Sequence, residues 1–306
     1  MITAVIPVRS GSTRCKNKNI RYFSDSNLLK MKIELLKTVK NLDRILVSSN
    51  CDEMLDIARK LDVLTHKRDA KYCTAECSGT YLYISLANAV ETEHMLLTFC
   101  VTPFVTKETY ENIIEIYKAN LGTDIYDSVS TSLNFKHYIW HNNKPVNYEY
   151  SEAPPTQLLP DYYIPTFGIN LTSKQFVIDN RNVIGKNPYF YDVDQIESID
   201  IDTPYEFLLS EILYKNNILT CDDALNILKS RDIQDKELYL IDCSSYCISD
   251  IKQIQECYEA VSKAKFKYFE IDDINLLNNL SINDSCEILV NINNCNSPRR
   301  FINNIK

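Results

Sequence analysis

Two stretches of this sequence carry side chains able to do chemistry on a charged ligand. The first is Arg9-Ser10-Gly11-Ser12-Thr13-Arg14, with Lys16, Lys18 and Asn19 close behind. Glycine and its small hydroxyl neighbours let backbone N–H groups approach an anion, while the arginines and lysines add mobile positive charge. Polyphosphate is the natural guest, and a solvated basic turn is the alternative. The second stretch is Ser198-Ile199-Asp200-Ile201-Asp202. In a strand, side chains alternate, so Asp200 and Asp202 share one face while Ile199 and Ile201 pack beneath. Adjacent carboxylates repel unless a cation or protons intervene, and hard oxygen ligands suit Mg²⁺ bridging to phosphates. Here the alternative is a rim strand with two solvated aspartates.

The elements that must hold these groups are legible around them. Ile2-Thr3-Ala4-Val5-Ile6-Pro7-Val8 is apolar, β-branched and too short for a helix, so it reads as a buried parallel strand opening into the basic loop. In α/β sheets, ligands bind beyond the carboxyl ends of such strands. Leu28, Met31, Leu35 and Val39 lie at helical spacing and predict a crossover helix over 27–39; Arg44–Ser48 follows as a second strand. Asn50 reads as an N-cap with Glu53 three residues on, opening a helix to Leu61. Met95–Val101 predicts another strand, and Tyr110, Ile113, Ile114 and Tyr117 a helix with a packing stripe. Strands are expected at Ser128–Thr131 and His137–Trp140, and a proline-rich loop at Ala153–Pro160. After the carboxylates, Thr203-Pro204-Tyr205-Glu206 spells a capping box with proline at the first helical position.

Composition narrows the classes. A chain of 306 residues accommodates one large α/β domain with an appendix. Net charge is −8, so the basic loop is local and no nucleic-acid partner is expected. No apolar run approaches the roughly 20 residues of a membrane span, and Arg9 comes too early for a secretory segment, so a cytoplasmic protein is expected. Eleven cysteines argue for reduced thiols, and the spacings Cys73-x3-Cys77 and Cys243-x3-Cys247 are not those of a zinc ribbon. Neither G-x-x-x-x-G-K-[ST] nor G-x-G-x-x-G occurs. Beyond Lys215, strands at Glu237–Asp242 and Cys286–Val290 and a helix at Ile251–Val261 suggest a small α/β region ending in an asparagine-rich helix or tail. The expected division is 1–218 and 219–306.

The opening resembles that of the acylneuraminate cytidylyltransferases (CMP-sialic acid and CMP-KDO synthetases), whose first strand runs into A-R-x-G-S-[KR]-x-x-x-K-N. Val8, Arg9, Gly11, Ser12, Lys18 and Asn19 hold the corresponding places, with Thr13-Arg14 where the family often has Lys-Gly. Ser49–Glu53 is similar to the segment after the second strand, and Asp200-Ile201-Asp202-Thr203 to the D-I-D-T metal motif. Arg68 and Ser78 match parts of the stretch that contacts the nucleotide base in relatives; Asp69, Ala75 and Cys77 depart from it. Where relatives carry polar groups facing or flanking the sugar acid, this chain has Phe99 for glutamine, Val105 and Thr156 for arginines, and Thr166 for asparagine. Gln157, Pro160, Pro165 and Ile169 still fit.

The resemblance implies a Rossmann-like three-layer α/β nucleotidyltransferase sheet, with a protruding dimerisation segment at Tyr138–Tyr163, and a homodimer. It implies a CTP-dependent cytidylyltransferase passing CMP to an acidic sugar, a 2-keto sugar acid such as a nonulosonate, with release of pyrophosphate. Arg9, Gly11, Ser12, Arg14 and Lys18 would hold the triphosphate, Asn19, Arg68 and Ser78 the cytidine side, and Asp200 and Asp202 the Mg²⁺. Arg9, Lys18, Asp200 and Asp202 are thus the expected catalytic set. With two arginines and an amide gone from the acceptor side, N-acetylneuraminate is expected to be a poor acceptor. The alternatives are a small phosphorylated or phosphonate acceptor, a transferase using UTP or GTP, and a non-catalytic nucleotide-binding subunit.

Overall fold

Ile2–Pro7 forms β1, and every one of its side chains is buried. Its six residues are apolar or β-branched because both faces of the strand are covered. This computed structural model describes residues 1–11, 14–123 and 125–218, together with the strands 266–271 and 287–292. The chain divides into two units, Met1–Asp202 with Ser210–Ala224, and Thr203–Leu209 with Leu225–Lys306.

In the first unit the basic loop leads into a short hairpin, β2 (Tyr22–Phe23) and β3 (Ser26–Asn27), then α1 (Leu28–Leu36), β4 (Arg44–Ser49), α2 (Asp52–Lys60) and β5 (Leu64–Lys67). A 3₁₀ turn at Ala70–Tyr72 precedes α3 (Gly79–Ala89), β6 (His94–Leu97), α4 (Lys107–Asn120) and β7 (Ser128–Phe135). A hairpin follows, β8 (Trp140–His141) and β9 (Lys144–Pro145), and then β10 (Tyr162–Ser173), α5 (Lys174–Asn180) and β11 (Pro188–Asp192). The seven-stranded sheet has the order β11-β7-β10-β6-β1-β4-β5. β10 runs antiparallel to both its neighbours, and every other pairing is parallel. The chain leaves β1 on one side toward β4 and β5 and returns to β6 on the other side. The order therefore reverses between β1 and β6, where α/β sheets place their ligands.

Helices cover both faces. Leu86 and Ala87 of α3 and Val177 of α5 pack on Val5, Leu46, Met95 and Leu97. On the opposite face α1 meets α2, and Lys32 of α1 reaches Tyr110 of α4. This is the three-layer α/β arrangement expected from the sequence. The four stripe residues of α4 are all buried, as their spacing predicts. Asn27 caps α1, accepting from the Lys30 N–H at 2.9 Å, and the helix ends at Leu36, short of the expected Val39. Asn50 is not the cap of α2: Cys51 takes that place, and the Asn50 amide bonds Ser10 in the basic loop instead. β6 ends at Leu97, short of Val101, because the chain turns at Phe99–Thr102, where the Thr102 N–H donates to the Phe99 carbonyl at 3.4 Å.

The segment between β7 and β10 is built on aromatics. Asn142 and Asn143 both have positive φ, at 50° and 60°, the conformation of a tight hairpin turn between β8 and β9. Trp140 stacks edge-on against Tyr148 and Tyr150 at 6.4 and 6.1 Å, and Tyr138 against Tyr148 at 4.8 Å. Trp140 nevertheless remains 50% exposed and Tyr150 75%.

In the second unit, Thr203 and Glu206 close the expected capping box at the start of α6 (Pro204–Lys215). The Thr203 N–H donates to Glu206 Oε2 at 2.8 Å and the Glu206 N–H to Thr203 Oγ1 at 3.2 Å. β12 (Phe266–Ile271) pairs in parallel with β13 (Glu287–Ile292), which includes most of the strand expected at Cys286–Val290. The expectations for Glu237–Asp242, Ile251–Val261 and the chain end past Ile292 lie outside the described residues.

Candidate active site

A cavity of about 400 Å³ opens where β1 and β6 end, and Arg9, Lys18, Asn19, Arg68, Asp200 and Asp202 all line it. Arg9 continues β1 by two residues, and its Nη1 donates to the Cys73 carbonyl at 2.7 Å, which fixes the guanidinium on the wall. Lys18, its side chain only 14% exposed, donates from Nζ to the Ile201 carbonyl at 2.6 Å and to Asp202 Oδ1 at 2.9 Å. Arg14 reaches the other oxygen of the same carboxylate at 2.8 Å from a more exposed position. The two stretches identified from sequence, 184 positions apart between Lys18 and Asp202, are one site.

The carboxylates do not lie on a sheet strand as expected. Residues 199–202 belong to no strand of the sheet. The Ile201 N–H donates to the Val101 carbonyl at 2.9 Å and the Ile201 side chain is fully buried, so the alternation that a strand would impose is kept by two local anchors. Asp200 and Asp202 consequently both face the cavity. Partial burial raises the Asp202 carboxyl, but Lys18 and Arg14 outweigh it and hold the group below the usual carboxylate range.

The opposite wall is built on Arg68, which is 3% exposed. Its Nη2 donates to the Val8 carbonyl at 2.6 Å and its Nε to Cys73 Sγ at 3.0 Å, while Nη1 is buried with no partner. An unpaired guanidinium nitrogen inside a protein costs free energy, and Arg68 is among the residues that line the cavity. Asn19 is also buried; its Oδ1 accepts from the Cys100 thiol at 3.2 Å, and burial pushes that thiol up to about 12, so it stays protonated.

Of the floor, only Phe99 was singled out in the sequence. Tyr72, Tyr83, Phe99 and Phe167 line the cavity with aromatic surface. Phe167 arrives there through a register shift in β10 between Pro165 and Asn170, with its backbone at φ 54°. A Cβ on Gly168 would lie 2.8 Å from Val105 Cγ2 and 3.1 Å from Thr131 Oγ1, so only glycine admits this bulge. Of the four departures on the acceptor side, Phe99 lines the cavity; Val105 is buried under the bulge, the Thr166 hydroxyl bonds Thr131 at 2.8 Å, and Thr156 opens a 3₁₀ turn outside the lining. Gly11 has φ 82° in the basic loop and is exposed, Ser78 stands at the N-cap of α3 beside the cavity-lining Cys77, and neither lines the cavity. Ser12 lies outside the described residues.

The fold is the one shared by nucleotidyltransferases of the CTP-transferase kind. It superposes with a TM-score of 0.52 on a CMP:2-keto-3-deoxy-manno-octonic acid synthetase complexed with CTP, covering 71% of this chain and 99% of that one at 11% identity. The sequence profile described as cytidylyltransferase matches residues 3–154. An N-acylneuraminate cytidylyltransferase of Escherichia coli is 23% identical over 279 residues, 83% of this chain and 64% of that protein. A CMP-N,N'-diacetyllegionaminic acid synthase of Campylobacter jejuni is 23% identical over 221 residues, 69% of this chain and 94% of that protein. Over residues 3–154 the chain is similar to the cytidylyltransferases, and the relatives it resembles include acylneuraminate enzymes.

Proposed function

We propose that this protein is a CTP-dependent cytidylyltransferase that passes CMP to an acidic sugar, a 2-keto sugar acid such as a nonulosonate, and releases pyrophosphate. One observation carries the reading: Lys18 hydrogen-bonds Asp202 on a cavity that Arg9, Asn19 and the buried Arg68 also line. Cations for a triphosphate, carboxylates aimed at its phosphates and a donor for a base thus share one space. The acceptor hydroxyl attacks the α-phosphorus, a new P–O bond forms, the bond to the β-phosphate bridging oxygen breaks, and the hydroxyl proton leaves to solvent. Such transfer depends on positioning and charge neutralisation. Arg9, Lys18 and Arg14 balance charge on the triphosphate and on departing pyrophosphate, while Arg68 and Asn19 orient cytidine.

Two carboxylates beside phosphate-binding cations fit Mg²⁺, which takes one or two protein carboxylates and completes its shell with phosphate and water. Asp200 and Asp202 would hold it, and when bound it supplies charge stabilisation at the phosphate. The transferase is assigned to residues 1–218, leaving 219–306 without a chemical role. The exposed aromatics Tyr138, Trp140, Tyr150 and Tyr163 support a homodimer built on the segment between β7 and β10. The five cysteines among the described residues, none of them in a disulfide, support a reducing, cytoplasmic setting, and no described helix is long and apolar enough to cross a membrane.

The test is pyrophosphate release from CTP, UTP, GTP and ATP across a panel of sugar acids, with Asp202→Asn as control. Turnover specific to CTP and a sugar acid, lost by orders of magnitude in the variant, is expected. Preference for another nucleotide, or a fully active Asp202→Asn enzyme, contradicts the assignment.

A further inference from the structure

Behind the cavity, on the α1–α4 side of the sheet, lies a charged group that the transfer reaction does not touch. Lys32 of α1 is 2% exposed. Its Nζ donates to the Thr102 carbonyl at 2.8 Å and to the Tyr110 hydroxyl at 3.0 Å, and that hydroxyl pairs with Thr98 Oγ1 at 2.6 Å. Among the described residues no carboxylate forms an ion pair with it. Burial pushes Lys32 down to about 7, and the nearby Glu197 carboxyl opposes that shift only in part. A buried amine without an ion-pair partner costs stability that methionine or leucine in the same space would not. Its position shows what the cost maintains.

Directly at Thr102 and by way of Tyr110 at Thr98, these contacts bracket the turn Phe99–Thr102, which Thr102 closes by donating its hydroxyl to the Phe99 carbonyl at 2.9 Å. The inner side of that turn is the cavity wall. Cys100 holds the Asn19 side chain, and the Val101 carbonyl accepts the Ile201 N–H between the two aspartates. One turn therefore sets both the cytidine side and the carboxylate side, and Lys32 is its anchor on the protein side. We propose that Lys32 is a positioning residue for nucleotidyl transfer: by pinning the Phe99–Thr102 turn from behind, it keeps the Asp200–Asp202 segment aligned with the groups that hold the nucleotide. The inference rests on the cytidylyltransferase reading. Arg9 and Arg68 are held by Cys73 and Val8 and not by this turn, so removing Lys32 lowers turnover while leaving most of the CTP affinity.

Lys32→Met fills the same space without donors. Pyrophosphate release, calorimetric CTP titration and the thermal unfolding midpoint are measured on the full chain. The expected result is a kcat at least tenfold lower, a CTP dissociation constant within threefold of wild type, and an unchanged or higher midpoint. A packing role cannot give that combination. Tyr110→Phe removes one of the two acceptors and is expected to lower kcat severalfold with the same split; it decides the matter if Lys32→Met does not fold. An active wild type whose variants stay within twofold in kcat overturns this inference alone. So does a loss in which kcat, CTP affinity and the midpoint fall together. A wild type that releases no pyrophosphate from CTP overturns the parent reading and this inference with it.

Discussion

Replacing Lys18 by methionine tests the phosphate side of the site most directly. The side chain is largely buried, so methionine occupies the aliphatic path while the ammonium is lost. Two contacts go with it, one to the Ile201 carbonyl at 2.6 Å and one to Asp202 at 2.9 Å. In the complex, the ammonium also faces a triphosphate. A hydrogen bond to a charged group contributes about 1.5–3 kcal/mol, and each 1.36 kcal/mol is a factor of ten, so kcat/KM for CTP should fall roughly 10- to 150-fold. Cytidine, which has no phosphate, should bind almost as before. With Lys18 gone, Arg14 alone opposes burial at Asp202, so that carboxyl should titrate higher and the acid limb of the activity profile should move to higher pH. The assay is continuous pyrophosphate release across pH, with calorimetry for CTP and cytidine. Equal losses for CTP and cytidine, or kcat/KM within twofold of wild type, would refute the assignment of Lys18 to the phosphates.

If Arg68 orients cytidine as proposed, Arg68→Met should weaken CTP, CMP and cytidine alike by about tenfold or more; calorimetry that shows a loss confined to CTP would contradict this. Gly168→Ala should lower stability by about 1–3 kcal/mol in urea unfolding, because the added methyl meets Val105 and Thr131 at the bulge. Lys32 titrates near 7 when folded and at 10.5 when unfolded, so below pH 7 both states are charged and its cost is complete. Between those values the unfolded chain binds more protons, so stability should rise by about 1 kcal/mol per pH unit, and the rise should be absent in Lys32→Met. With Phe99 lining the cavity where relatives have glutamine, N-acetylneuraminate should have a kcat/KM at least tenfold below that of a deoxy sugar acid. A micromolar Michaelis constant for N-acetylneuraminate would contradict that expectation.

What the sequence determined by itself is local. The unbroken apolar run of β1 needs only burial on both faces, the stripe of α4 only the 3.6-residue period, and the Thr203–Glu206 box only residues three apart. The basic loop and the aspartate pair are legible for the same reason: their chemistry lies in neighbouring side chains. Tertiary structure decided whatever joins distant positions. That Lys18 bonds Asp202, that Arg68 is buried with a nitrogen unpaired, and that Lys32 stands behind the Phe99–Thr102 turn all follow from the reversal of strand order between β1 and β6, which no periodicity encodes. Asn50 illustrates the competition: its sequence suits a helix cap, but the loop after β1 passes within reach and Ser10 takes the amide. The bulge that turns Phe167 into the cavity is likewise invisible locally, because Gly168 is required by Val105 and Thr131, 63 and 37 positions away, and not by its own neighbours.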